Sequence, residues 1–188
     1  STIQDAIDDP ACDTIVVGAG TFTENLSISR DVIIQGSGTS LDAATTRLSG
    51  GFVDRVVDIP TNGLDIIDVT IANLNIENGD VRGLVGLDAY GGGIYNGENL
   101  SLDHVIVTNN YAVSGGAIAT GPYAQTTITD STISHNAANL QADNIFNAAS
   151  LGNLQLVNSQ VDGPPASLAS VGGVYTNGPT LIQNSTIT

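Results

Sequence analysis

The chain has 188 residues, with hydrophobic residues at 41%, enough apolar material for one compact domain with a core. Nineteen acidic residues stand against four arginines and no lysine, a net charge of −15 that excludes a nucleic-acid-binding surface. The core has no Trp or Met and three Phe to draw on, so it must be built from Ile, Leu, Val and Ala.

In chain order, residues 1–10 place Ile3, Ala6 and Ile7 on one helical face, and Pro10 ends the segment. The pattern predicts a short helix capping the N-terminal end of the molecule. Thr14–Val17 follows as a strand, then a Gly18-Ala-Gly20 turn. Leu26–Ile28 and Val32–Gln35 read as further strands, closed by Gly36-Ser-Gly38. The stretch from Thr39 to Thr61 supplies another coil with a longer excursion.

From Ile71 onward the chain repeats. Ile71-Ala-Asn-Leu74-Asn-Ile76 returns as Leu102-Asp-His-Val105-Ile-Val107, Ile128-Thr-Asp-Ser131-Thr-Ile133, Leu156-Val-Asn-Ser159-Gln-Val161 and Ile182-Gln-Asn-Ser185-Thr-Ile187. The last apolar positions, Ile76, Val107, Ile133, Val161 and Ile187, lie 31, 26, 28 and 26 residues apart. A second marker, often opened by Gly-Gly, runs in phase through Ile94, Ile118, Ile145 and Tyr175. Two in-phase markers with a period in the twenties and short strands between them indicate a solenoid. The expected fold is all-β: a right-handed parallel β-helix over residues 1–188, a single domain with a short N-terminal capping helix over residues 1–10. The two marker columns should stack as apolar ladders, with Gly pairs allowing tight turns and Asn73, Asn158 and Asn184 at left-handed corners. Insertions are expected as loops at Asp80–Tyr90 and Asn136–Asp143. The last repeat stops at Ile187-Thr188 directly after its strand, so the C-terminal end is expected to be uncapped and ready for another coil.

Candidate sites are sparse. Asp5, Asp8, Asp9 and Asp13 form the densest acidic cluster, and Ca²⁺ is the cofactor such a cluster would take. It lacks EF-hand spacing, and a solvated cap is the plainer use of the same residues. His104 and His135 fall at different points of the repeat, so a shared zinc site would need further ligands. Asn25, Asn99 and Asn184 open Asn-x-Ser/Thr sequons and are candidate glycosylation sites in a secreted protein. Cys12 is the sole cysteine, a buried thiol or an intermolecular one. The three Phe are scattered in sequence, which gives no sign of an aromatic ladder. No catalytic residue stands out, and no apolar run is long enough for a membrane-inserting helix.

Ile3-Gln-Asp-Ala-Ile7, Asp13-Thr-Ile-Val-Val17 and Gly20-Thr-Phe-Thr-Glu24-Asn-Leu-Ser-Ile28 together resemble the opening coil of the pectate-lyase-like superfamily, also found in pectin methylesterases. The later repeats resemble those of bacterial and archaeal surface proteins, including adhesin-like and autotransporter passenger proteins. The resemblance implies the β-helix fold and a place outside the cell or on its surface. Its enzymatic members imply residues this chain lacks: the paired Asp motifs and Gly-Arg-Pro-Trp of the esterases are missing, and Arg47, Arg55 and Arg82 sit in no lyase motif. The expectation is therefore a non-enzymatic structural protein, a filament subunit or adhesin shaft. Its partners would be further copies stacked head to tail, or neighbouring domains of a longer chain. A polysaccharide-binding or polysaccharide-cleaving β-helix is the alternative, with glycans as partners.

Overall fold

The computed structural model describes residues 2–38, 45–63, 65–164 and 172–188. Its only α-helix among them, α1 (Ile3–Asp8), is too short to persist alone and is held at both ends. Thr2 and Asp5 form a reciprocal capping box at its start. The Glu24 carboxylate also accepts from the backbone N–H groups of Ile3 and Gln4 at 3.0 and 3.1 Å. At the other end the Arg30 guanidinium donates to the carbonyls of Ile7, Ala6, Asp9 and Cys12. Ile3 and Ile7 are buried, so the helix closes the N-terminal end as the sequence indicates.

The chain then winds in coils. The first carries β1 (Thr14–Val17), β2 (Gly20–Thr23) and β3 (Leu26–Ser27), and the second β4 (Val32–Gly36), β5 (Thr46–Ser49) and β6 (Val57–Ile59). The third has β7 (Asp68–Ala72), β8 (Asn75–Glu77) and β9 (Ile94–Asn96). The fourth adds an extra side: β10 (Asn99–Asp103), β11 (Ile106–Thr108), β12 (Tyr111–Ser114) and β13 (Ile118–Thr120). The fifth repeats that plan with β14 (Gln125–Thr129), β15 (Thr132–Ser134), β16 (Ala137–Gln141) and β17 (Ile145–Asn147). The last strands are β18 (Asn153–Val157), β19 (Gln160–Val161), β20 (Val174–Thr176), β21 (Thr180–Gln183) and β22 (Thr186–Ile187).

Every strand pairs in parallel with its counterpart one coil away. The result is a seven-stranded sheet from β1 to β21, a second from β2 to β22, a six-stranded sheet from β3 to β20, and the short pair β12–β16. This is the parallel β-solenoid that the repeat predicts. Of the excursion expected between Thr39 and Thr61, residues 39–44 lie outside the described residues.

The ladder Ile76–Val107–Ile133–Val161–Ile187 stacks in register. So do Ile94, Ile118 and Ile145. Tyr175 is a correction: Val174 is the residue opposite Ile145, and Tyr175 lies opposite Phe146 on the outer face. The last Gly pair, Gly172-Gly173, reaches its strand one residue sooner, and a shift of one exchanges the faces of a strand. The predicted loop Asn136–Asp143 is also corrected, because Ala137–Gln141 forms β16 and pairs with β12 across a bulge. The insertion supplies a fourth wall rather than an excursion. Asp80–Tyr90 does loop out, touching the neighbouring coil through isolated bridges at its two ends.

The corners carry their own columns. Asn73, His104, Asp130, Asn158 and Asn184 all have φ between 49° and 57° at the turn joining the first two sheets. Just inside this corner, the Oγ atoms of Ser131, Ser159 and Ser185 accept from the backbone N–H groups of Val105, Ser131 and Ser159 on the preceding coil. At the next corner, the buried Asn110 and Asn136 link coils in the same way. Asn110 Oδ1 accepts from Gly79 N, and Asn136 Oδ1 accepts from Asn110 N. Gly92 permits a close approach there, since a Cβ on it would lie 2.4 Å from the Tyr111 carbonyl oxygen.

Candidate functional site

The predicted acidic cluster is occupied with capping. Asp5 closes the capping box, and hydrogen bonds from the Thr2 backbone and side chain hold its carboxyl below the usual range. Asp8 accepts from Gln4 Nε2, Asp9 from the Ala11 N–H, and Asp13 lies 3.8 Å from Arg30. These contacts fix a helix and a turn.

Each arginine is likewise engaged. Arg47 pairs with Glu77 at 3.1 Å. Arg82 pairs with Asp80 at 2.6 Å and lies over the Tyr111 ring, 4.4 Å from its centroid. Burial would raise the Asp80 carboxyl, but the hydrogen bonds from Arg82 outweigh it and hold the group below its usual range. Arg55 is the anchor of the Asp80–Tyr90 loop. Its buried guanidinium donates to the carbonyls of Asp88, Tyr90 and Gly91, and it meets Asp58 Oδ1 at 2.7 Å. Burial pushes the Asp58 carboxyl above its ordinary value despite Arg55, and burial also raises the Tyr95 hydroxyl. An arginine tied to several carbonyls and a carboxylate is a structural cation, poorly placed to take a proton from a substrate.

One of the three scattered Phe does meet other rings, those of two tyrosines. Phe146 stacks on Tyr175 with centroids 5.3 Å apart and planes 16° from parallel, and Tyr90 tilts onto Phe146 at 5.5 Å. The solenoid sets Phe146 opposite Tyr175 on neighbouring coils at the outer face of the third sheet, and Tyr90 reaches Phe146 from the loop two coils earlier, a proximity visible only once the register is known.

His104 and His135 occupy different corners, both with positive φ. His104 instead meets two carboxylates. Among the described residues, Asp103, His104 and Asp130 are the group whose ligating atoms all lie within 4.8 Å of one another. His104 Nδ1 is 2.8 Å from Asp103 Oδ1. Asp103 and Asp130 escaped the sequence reading, although the aligned repeats place His104 and Asp130 at the same position one coil apart.

The sequon side chains are partly engaged. Asn25 Nδ2 donates to the Arg55 carbonyl, Asn99 Nδ2 to Asp68 Oδ1, and Asn184 Nδ2 to Asn158 Oδ1. Cys12 is a free thiol, partly buried against the core.

The most distinctive surface is the coil formed by β20, β21 and β22, the terminal strands of their three sheets. Ile182 continues the buried column of Ile128 and Leu156 yet is 47% exposed, and Ile187 below Val161 is 40% exposed, where those neighbours are at 0%. Parallel edge strands with uncovered apolar side chains make a template for further pairing.

No family model matches the chain, and neither curated proteins nor solved structures show a significant similarity to it. Among the described residues no helix is long and apolar enough to cross a membrane.

Proposed function

We propose that this chain is a non-enzymatic extracellular solenoid, a filament subunit or adhesin shaft that lengthens by adding coil to coil. The observation that carries the reading is the exposed coil β20–β22, whose inward columns are buried everywhere above it. The matching occupant is another parallel coil, supplied by a second copy or, in a longer polypeptide, by the next coil of the same chain. Its resemblance to the surface-exposed members of the pectate-lyase-like superfamily agrees with this reading. The engagement of all four arginines in structural pairs also favours it over lyase chemistry.

Joining copies head to tail has a structural cost. The helix α1 covers the N-terminal coil with Ile3 and Ile7, so it must give up that place before strands of two copies can pair. Assembly should therefore be slow and nucleated. Sedimentation velocity over a wide concentration range tests this. The wild-type chain is expected to form growing linear species, and I182K/I187K to remain a 19.1 kDa monomer. A wild-type chain that stays monomeric throughout would sink the self-assembly reading.

The aromatic group Tyr90–Phe146–Tyr175 supports a second reading, glycan binding on the third sheet. Within the group Tyr175 is 41% exposed, and it is this ring that offers an apolar surface to a sugar. Were it so, F146A and Y175A would each abolish retention on polysaccharide affinity gels. Equal mobility of wild type and variants across neutral and acidic glycans would remove this alternative.

A further inference from the structure

Among the described residues the corner between the first and second sheets carries a left-handed residue on five coils, and on three of these it is asparagine, Asn73, Asn158 and Asn184. On the two coils between them it is His104 and Asp130. The residue before His104 is Asp103, whereas the positions in register with it on the other coils are Val16, Gln35, Ala72, Thr129, Val157 and Gln183. The three departures from the repeat are all metal-ligating side chains, on adjacent coils, and their ligating atoms converge within 4.8 Å.

We propose that Asp103, His104 and Asp130 bind a divalent transition-metal ion of the Zn²⁺ class, joining the fourth coil to the fifth. Ligands of one tetrahedral zinc ion sit about 2.0–2.2 Å from it and hence roughly 3.4 Å from each other. His104 Nδ1 and Asp103 Oδ1 are hydrogen-bonded at 2.8 Å, and exchanging that bond for the metal moves them apart by only about half an ångström. The Asp103 and His104 side chains are about half exposed, 51% and 42%, so each can rotate to bring the third ligand in while the backbone stays in register. The exposed side leaves positions for water, giving three protein ligands and an open sphere.

Charge points the same way. Asp103 and Asp130 place two carboxylates together, and His104 is a counter-charge only when protonated. The four arginines face Asp13, Glu77, Asp58 and Asp80 instead. A bound cation neutralises the pair at neutral pH. An imidazole nitrogen among the ligands favours a borderline ion over Ca²⁺, which prefers an all-oxygen shell.

Calorimetric titration of the whole chain with ZnCl₂ tests the site, with H104N and D130N as variants. Both substitutions install the asparagine that the same column carries elsewhere, so they preserve the left-handed corner. One equivalent of Zn²⁺ is expected to bind saturably, weakened on the order of tenfold or more by H104N and by D130N. H135N, at a different corner, is expected to bind as wild type. The proposal is overturned if wild type shows no saturable binding, if H104N or D130N binds unchanged, or if these residues take Ca²⁺ in preference to Zn²⁺.

Discussion

Asn136→Ala is expected to destabilise the fourth and fifth coils by about 3 kcal/mol or more, the cost of leaving several buried polar groups without partners. Asn136 is fully buried. Its Oδ1 accepts from both the backbone N–H and the Nδ2 of Asn110, and its Nδ2 shares two hydrogens among the Val107 and Ser134 carbonyls and Asn144 Oδ1. Truncation silences all five contacts and leaves a buried backbone N–H of Asn110 without its acceptor. Denaturant unfolding followed by circular dichroism checks this. Asn136→Asp is informative beside it: the acceptor is retained and the donors are lost, with a buried charge added. A loss below about 1 kcal/mol for Asn136→Ala would show that water replaces the side chain and that the ladder is not a structural tie.

Ile118→Ala should cost about 2–5 kcal/mol, because Ile94 and Ile145 above and below it are also fully buried and a solenoid interior has little freedom to collapse into the gap. The same truncation at Ile182, which is 47% exposed, should cost less than about 1 kcal/mol in the monomer. Thermal unfolding of the two variants at low protein concentration measures the contrast. Each coil is stabilised chiefly by its neighbours, so Ile118→Ala is also expected to broaden the transition as the two flanks uncouple. Equal losses at the two positions would mean that Ile182 is already covered in solution.

Much of the fold was legible because coil stacking imposes two signals at once, an apolar period of two within strands and a repeat in the twenties between them. The columns through Ile133 and Ile118 follow directly from that alignment, as do the left-handed Asn73, Asn158 and Asn184. Tyr175 was misplaced because a single-residue difference after Gly172-Gly173 reverses which side chains face inward, and an apolar ring suits either face. The Asn136–Asp143 segment reads as a loop because the uneven spacing of the repeats calls for an insertion, and spacing alone does not say whether the inserted residues form a strand. The structure uses Asn136 inside the wall and pairs Ala137–Gln141 with the coil before. The contacts of the candidate sites are longer in range. Tyr90, Phe146 and Tyr175 meet across coils, and His104 meets Asp130 26 residues on, so their proximity depends on exact coil length rather than on any local motif.

Backbone hydrogen exchange, resolved by residue and repeated at rising protein concentration, asks directly which end of the solenoid joins a partner. The stacking proposal predicts that amides of β20–β22 gain protection with concentration, while those of β13–β15 in the middle stay constant and α1 loses protection as it is displaced. Protection of β20–β22 that does not change with concentration, in a chain whose α1 remains fully protected, would contradict assembly of copies through this coil.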